Sequence, residues 1–126
     1  MQRSKHLIAL RPSIPSIIEE QTISSQEHFQ NKILRPILKL QNDLLIALFK
    51  NYAHKRKGVF FDLSNLKKQA YIQQVIQRDG KLRNLLIGSI IGQFTIEEYQ
   101  QFVDDEQRLT KRMMNMCTKR LQDAFC

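Results

Sequence analysis

Two polar side chains interrupt the apolar faces of predicted helices, and an amide or a carboxylate in such a position can bind a ligand or move a proton. On a helical wheel, the midpoint of the apolar face of residues 36–55 falls close to Gln41. The midpoint for residues 96–124 falls on Glu106, with Thr110 one turn further on. A buried carboxylate needs a hydrogen-bonding or charged partner. These three side chains are therefore a candidate buried polar site. The interpretation that the sequence favours is that Glu106 reaches solvent along its own length, pairs with an arginine, or lies where the helix leaves the core.

Basic side chains supply a second candidate site. The formal net charge is +8 and the isoelectric point is near 9.8, which favours acidic partners such as nucleic acid. The candidate basic surface comprises Lys55, Arg56, Lys57, Lys111, Arg112, Lys119 and Arg120. These side chains could contact phosphates, which is the sequence-independent part of nucleic-acid binding. The alternative, which the sequence favours, is that they are the solvated ends of helices.

The sequence predicts no catalytic residue, no metal ligand and no cofactor. His6, His28 and His54 are isolated, and no pair of ligands falls at the spacing of a zinc site. No glycine-rich phosphate-binding loop is present. Cys117 and Cys126 would lie about 13 Å apart on opposite helix faces, too far for a disulfide. Both thiols are therefore predicted to be reduced.

Helices must position these groups, because the sequence has helical periodicity and no strand signal. Residues 1–24 contain Pro12 and Pro15 and are predicted to form an extended or irregular arm. Residues 25–126 are predicted to form one domain, an all-α bundle of four to five helices with a long C-terminal helix. The predicted helices cover about 25–34, 36–55, 64–78, 81–93 and 96–124. Ser24 with Glu27, and Thr95 with Glu98, have the spacing of capping boxes, and Pro36 must kink or restart a helix.

The predicted last helix also suggests self-association. Its 29 residues would extend about 43 Å, whereas a domain of this length is only about 36 Å across. The protruding end is predicted to expose an apolar surface and to form a twofold homodimer. This candidate dimer surface comprises Met113, Met116, Cys117, Leu121 and Phe125. The alternative is that the N-terminal arm, with Ile14, Ile17 and Ile18, docks on this apolar surface and covers it within the monomer.

No apolar run is long enough to cross a bilayer, and the first apolar stretch is too short for a signal peptide. We therefore expect a cytoplasmic protein with no membrane partner.

Three stretches resemble a known family: LRPILKLQNDLL from Leu34 to Leu45, NLLIG from Asn84 to Gly88, and FTIEEY from Phe94 to Tyr99. The chain resembles a family of short, uncharacterised, all-helical bacterial proteins, some of which carry the label glyoxalase. The resemblance covers about residues 25–124 and implies an enzymatic alternative, but it carries over no functional residue.

The preferred interpretation is a non-enzymatic helical protein–protein interaction module that self-associates. The first alternative is a small-ligand binder or enzyme that uses a pocket at Gln41 and Glu106, which is where the glyoxalase label would apply. The second alternative is a nucleic-acid-binding protein that uses the basic surface.

Overall fold

The computed structural model describes residues 2–13 and 24–126, and 86% of these residues are helical with no strand among them. The predicted all-α fold with a long C-terminal helix is therefore confirmed. The α-helices are α1 (Gln2–Leu10), α2 (Ser25–Phe29), α3 (Arg35–Lys55), α4 (Asn65–Arg78), α5 (Gly80–Ile91), α6 (Ile96–Asp104) and α7 (Glu106–Phe125). No described helix combines the length and apolarity needed to cross a bilayer.

Pro36 is accommodated by a widened helical turn. The π-helical segment Gln30–Leu34 joins α2 to α3, and the backbone N–H of Arg35 donates to the carbonyl of Gln30, five residues earlier. A proline has no N–H and its ring crowds the preceding turn, so a wider turn relieves a clash that regular α-helix would impose. The chain passes through this segment without a loop.

The predicted helix over residues 96–124 is in fact two helices, because Asp105 leaves the helical conformation with φ −143° and ψ 45°. The Asp105 carboxylate accepts a hydrogen bond from the Gln26 side chain at 2.7 Å. A contact with a distant helix thus overrides a local sequence that contains no glycine or proline. At 20 residues, α7 is about 30 Å long, and the protruding rod that the sequence predicted does not form.

The first residues are helical, so the prediction of an irregular arm is wrong for Gln2–Leu10. This helix is held over the connection between α5 and α6. Arg3 donates to the carbonyl oxygens of Phe94 and Gly92, at 2.8 and 3.1 Å. The predicted docking of Ile14, Ile17 and Ile18 lies outside the described residues.

Helix α3 is central, as predicted, and packs against both α5 and α7. Its inner face is fully buried and includes Leu38, Leu45 and Phe49. Helix α5 is less buried than its apolar sequence predicts, because Leu85 is 51% exposed. The core is therefore built mainly on one face of α5 and leaves its outer face open to solvent.

Candidate functional site

A groove with an apolar floor and polar rims runs between α4 and α7 and has a volume of about 590 Å³. It is lined by residues spaced at helical intervals on one face of α7, together with the last turns of α4 and one residue of α5. These residues are Gln73, Ile76, Gln77, Arg83, Gln107, Thr110, Lys111, Met114, Asn115, Thr118, Lys119 and Gln122. The sequence did not predict this groove, since it depends on which faces of α4 and α7 meet.

Its floor is apolar and its rims are polar. Ile76 and Met114 are buried beneath the groove. The rims consist mainly of amide side chains and threonine hydroxyls. The Gln122 side chain joins the two helices, because its Nε2 donates to the carbonyl of Gln69 at 3.1 Å. The apolar floor holds the helices together, while the rims present hydrogen-bonding groups to solvent.

Three cations line the groove, and no carboxylate is among its described lining residues. Lys111 and Lys119 are exposed. Arg83 is half-buried, and its Nη1 donates to the carbonyl of Gln77, in the last turn of α4, at 2.6 Å. Cations suit this negative end of a helix dipole. The groove therefore has a positive character that ionised acids in its lining do not offset.

The predicted buried polar site does not form as expected. Gln41 is half-buried, and its Nε2 donates to the carbonyl of Ser89 at 2.9 Å. Glu106 is exposed, so it does not take part in a buried site. As the first residue of α7, it lies at the end of the helix, where a position on the core side no longer implies burial. Thr110 instead lines the α4/α7 groove.

Among the described residues, the buried carboxylate is that of Glu98, which the sequence placed only in a capping box. That capping box is confirmed, and the Glu98 carboxylate accepts the backbone N–H of Thr95 at 2.8 Å. It also accepts hydrogen bonds from both terminal nitrogens of the Arg11 guanidinium, at 2.6 and 2.5 Å. Arg11 lies 87 residues away in sequence, and no local pattern joins the two.

The environment of Glu98 keeps it ionised. Burial raises the pKa of its carboxyl, but the hydrogen bonds from Arg11 and Thr95 and the charge of Arg11 outweigh burial, so the pKa lies below its ordinary value. Arg11 also donates to the carbonyl of Gln93 at 2.9 Å. These contacts are all directed within the protein, so this cluster joins α1 to the α5–α6 connection.

The predicted basic surface is divided between different parts of the bundle. Lys55, Arg56 and Lys57 lie at the end of α3. Arg56 donates to the Asp79 carboxylate at 2.7 Å and its guanidinium lies over the ring of Tyr52, 4.6 Å from its centre. These cations are therefore separate from those on α7.

The four basic residues of α7 also have different roles. Lys111 and Lys119 line the α4/α7 groove. Arg112 donates to the Gln30 side chain at 2.8 Å, and Arg120 donates to the Asn42 side chain at 3.1 Å. Both arginines are half-buried and fasten α7 to the long segment that contains α3.

The predicted dimer surface is internal, so that prediction is wrong. Met113, Cys117 and Leu121 are fully buried in the monomer, and Met116 and Phe125 pack against the same core. The error follows from the predicted protruding helix, since the break at Asp105 brings α7 back against α3 and α4. Burial raises the pKa of the Cys117 thiol to about 12.

Among the residues that the structure describes, no group of three or more histidine, cysteine, aspartate or glutamate side chains could hold a metal ion. Comparisons with models of protein families, with curated proteins and with solved structures gave no match. The resemblance stated above stays a prediction.

Proposed function

We propose that this protein is a non-enzymatic helical binding module whose α4/α7 groove binds one strand of nucleic acid through its phosphate backbone. The observation that carries the proposal is the lining of the groove. It combines cations, amides and hydroxyls, and no carboxylate is among its described lining residues. Arginine, lysine, threonine, asparagine and glutamine are side chains that commonly donate to phosphate and sugar oxygens.

The dimensions of the groove favour an extended chain. From Gln107 to Gln122 the groove follows about 22 Å of α7, which matches about six stacked nucleotides at roughly 3.4 Å each. The polar rims extend along this length, so an extended anionic strand can contact their cations in succession.

The chemistry of the rims favours recognition of the backbone over recognition of the bases. The groove has no aromatic side chain among its described lining residues, so it offers no platform for base stacking. Lys111 and Lys119 lie about 12 Å apart along α7, the length of three to four stacked nucleotides. We therefore expect binding with little dependence on sequence and a strong dependence on salt.

Fluorescence polarisation tests this proposal with labelled single-stranded RNA and DNA oligonucleotides of about 12 residues, across a series of salt concentrations. The expected result is saturable binding that weakens steeply as salt rises. A labelled polyglutamate peptide of equal charge is the comparison ligand. If the peptide binds as tightly as the oligonucleotides, or if no oligonucleotide binds at low salt, the nucleic-acid proposal is wrong.

A further inference from the structure

Helix α6 has an apolar face that the other described residues leave exposed. Ile96, Tyr99 and Val103 are spaced at i, i+3 and i+7, so they lie on one side of the helix. Each is between 44% and 47% exposed. Glu98 and Phe102, which are buried, lie on the adjoining side that faces the core. The helix is therefore anchored by one face and presents a second apolar face to solvent.

Acidic side chains border this exposed face. Glu97 and Asp104 lie about 100° and 80° round the helix from Ile96, and both are exposed. Neither has a place in the Arg11–Glu98 cluster described above. The outer surface of α6 is thus apolar with an acidic edge.

A groove between α3 and α5 has the opposite character. It has a volume of about 450 Å³ and is lined on its apolar side by Leu48, Leu82 and Leu85. Lys55 and Lys81 line its basic edge, together with Arg56, which also pairs with Asp79. Near Leu48 on α3, Leu44 is 47% exposed and widens the apolar area. The groove is thus apolar with a basic edge.

We infer that copies of this protein associate head to tail, with α6 of one copy seated in the α3/α5 groove of the next. The two surfaces match in length, since the nine residues of α6 span about 13 Å and the groove follows about 12 Å of α3 from Leu48 to Arg56. They also match in charge, because the acidic edge of α6 meets the basic edge of the groove.

A symmetric pairing of two α6 helices fits less well. It would bring Glu97 and Asp104 of one copy towards the same acids of the other, and like charges at an interface oppose association. Docking in the groove avoids this repulsion and covers Leu85 as well as Val103. It is a heterologous contact, in which each copy uses a different surface, and it can continue from copy to copy.

Two substitutions test this arrangement by complementation. Leu85→Glu blocks the groove and leaves α6 intact, whereas Val103→Glu blocks α6 and leaves the groove intact. Both positions are exposed, so both variants are expected to fold, and circular dichroism checks that they do. Leu66→Glu is the matched control, because Leu66 is 79% exposed on α4 and belongs to neither surface.

Sedimentation velocity over a concentration series gives the readout. The wild type and the Leu66→Glu control should show a mass that rises with concentration above 14.9 kDa. Each blocked variant alone should stay at 14.9 kDa, and an equimolar mixture of the two should form a species of twice that mass. This dimer should weaken as salt rises, because acids meet bases at its edge.

Three results would overturn the inference. The wild type could remain a monomer at the highest concentration, which would leave both surfaces without a second copy. Leu85→Glu alone could associate as well as the wild type, which would indicate symmetric pairing through α6 or another surface. The two monomeric variants could also fail to form a dimer when mixed, which would mean that the two surfaces do not bind each other.

Discussion

Replacing Lys111 and Lys119 with glutamine removes two of the three cations in the α4/α7 groove and keeps polar side chains of similar length. Both lysines are exposed, so the fold should not change. Each cation that contacts a phosphate of a single strand contributes about −0.7 to the slope of log affinity against log salt concentration. Three contacts therefore predict a slope of about −2.1 for the wild type, and one contact predicts about −0.7 for the double variant.

These slopes give a measurable difference. A fourfold increase in salt concentration should weaken binding of the wild type about 18-fold and binding of the variant only about 2.6-fold. Fluorescence polarisation with one labelled single-stranded oligonucleotide, titrated at several salt concentrations, measures both slopes. The reduced slope is more informative than the reduced affinity, because it counts the phosphate contacts that are lost.

The matched control separates the groove from the overall charge. Lys39→Gln with Lys50→Gln removes the same two charges from exposed positions on α3. Its salt slope should stay close to that of the wild type, because these lysines do not line the groove. If both double variants reduce the slope equally, binding depends on net charge and the groove has no special role.

Three further predictions concern the interior. Arg11→Met should lower the free energy of unfolding by about 2 kcal/mol, which is less than the 3–5 kcal/mol typical of a fully buried ion pair. Urea denaturation measures this change, and the control Lys5→Met, on α1, should alter the free energy of unfolding little. The folded-state pKa of Glu98 is below its ordinary value of 4.5, so its stabilisation is complete above pH 4.5 and is lost as pH falls below it. Thermal unfolding from pH 7 to pH 3 should therefore show a smaller acid destabilisation in Glu98→Gln than in the wild type, and equal losses would contradict this assignment. Cys126 is exposed and should react with a thiol reagent in the folded protein, whereas Cys117, with a pKa of about 12, should react only after denaturation; rapid reaction of both thiols in the native state would argue against its burial.

Local signals predicted where several of the helices begin. Ser24 and Thr95 cap α2 and α6 with their side chains, as their spacing to Glu27 and Glu98 indicated. Such caps are readable because donor and acceptor lie three residues apart. Structural features that depend on contacts between residues far apart in sequence could not be predicted from local patterns. The break at Asp105 has a partner in Gln26, and no local rule connects these two positions.

The same limit explains the functional predictions. Periodicity located the apolar face of α7, but whether that face is covered depends on how α6 turns into α7. The predicted dimer surface was therefore placed on side chains that the monomer buries. Conversely, Lys111 and Lys119 were identified as basic candidates by their type alone. The amides of α4 that share their groove became relevant only when the packing of the two helices was known.

The docking of α1 has a consequence for the order in which the chain folds. Arg11 and Glu98 enclose a loop of 87 residues, and closing so long a loop costs more chain entropy than forming the contacts between neighbouring helices. Contacts of this range tend to form after a compact nucleus exists. The contacts of Arg11 with Glu98 and the α5–α6 connection should then be absent from the folding transition state. Arg11→Met should therefore accelerate unfolding and leave the folding rate nearly unchanged. Helix α1 would then dock late in folding, onto a bundle already assembled without it, and its docking would slow the unfolding of that bundle.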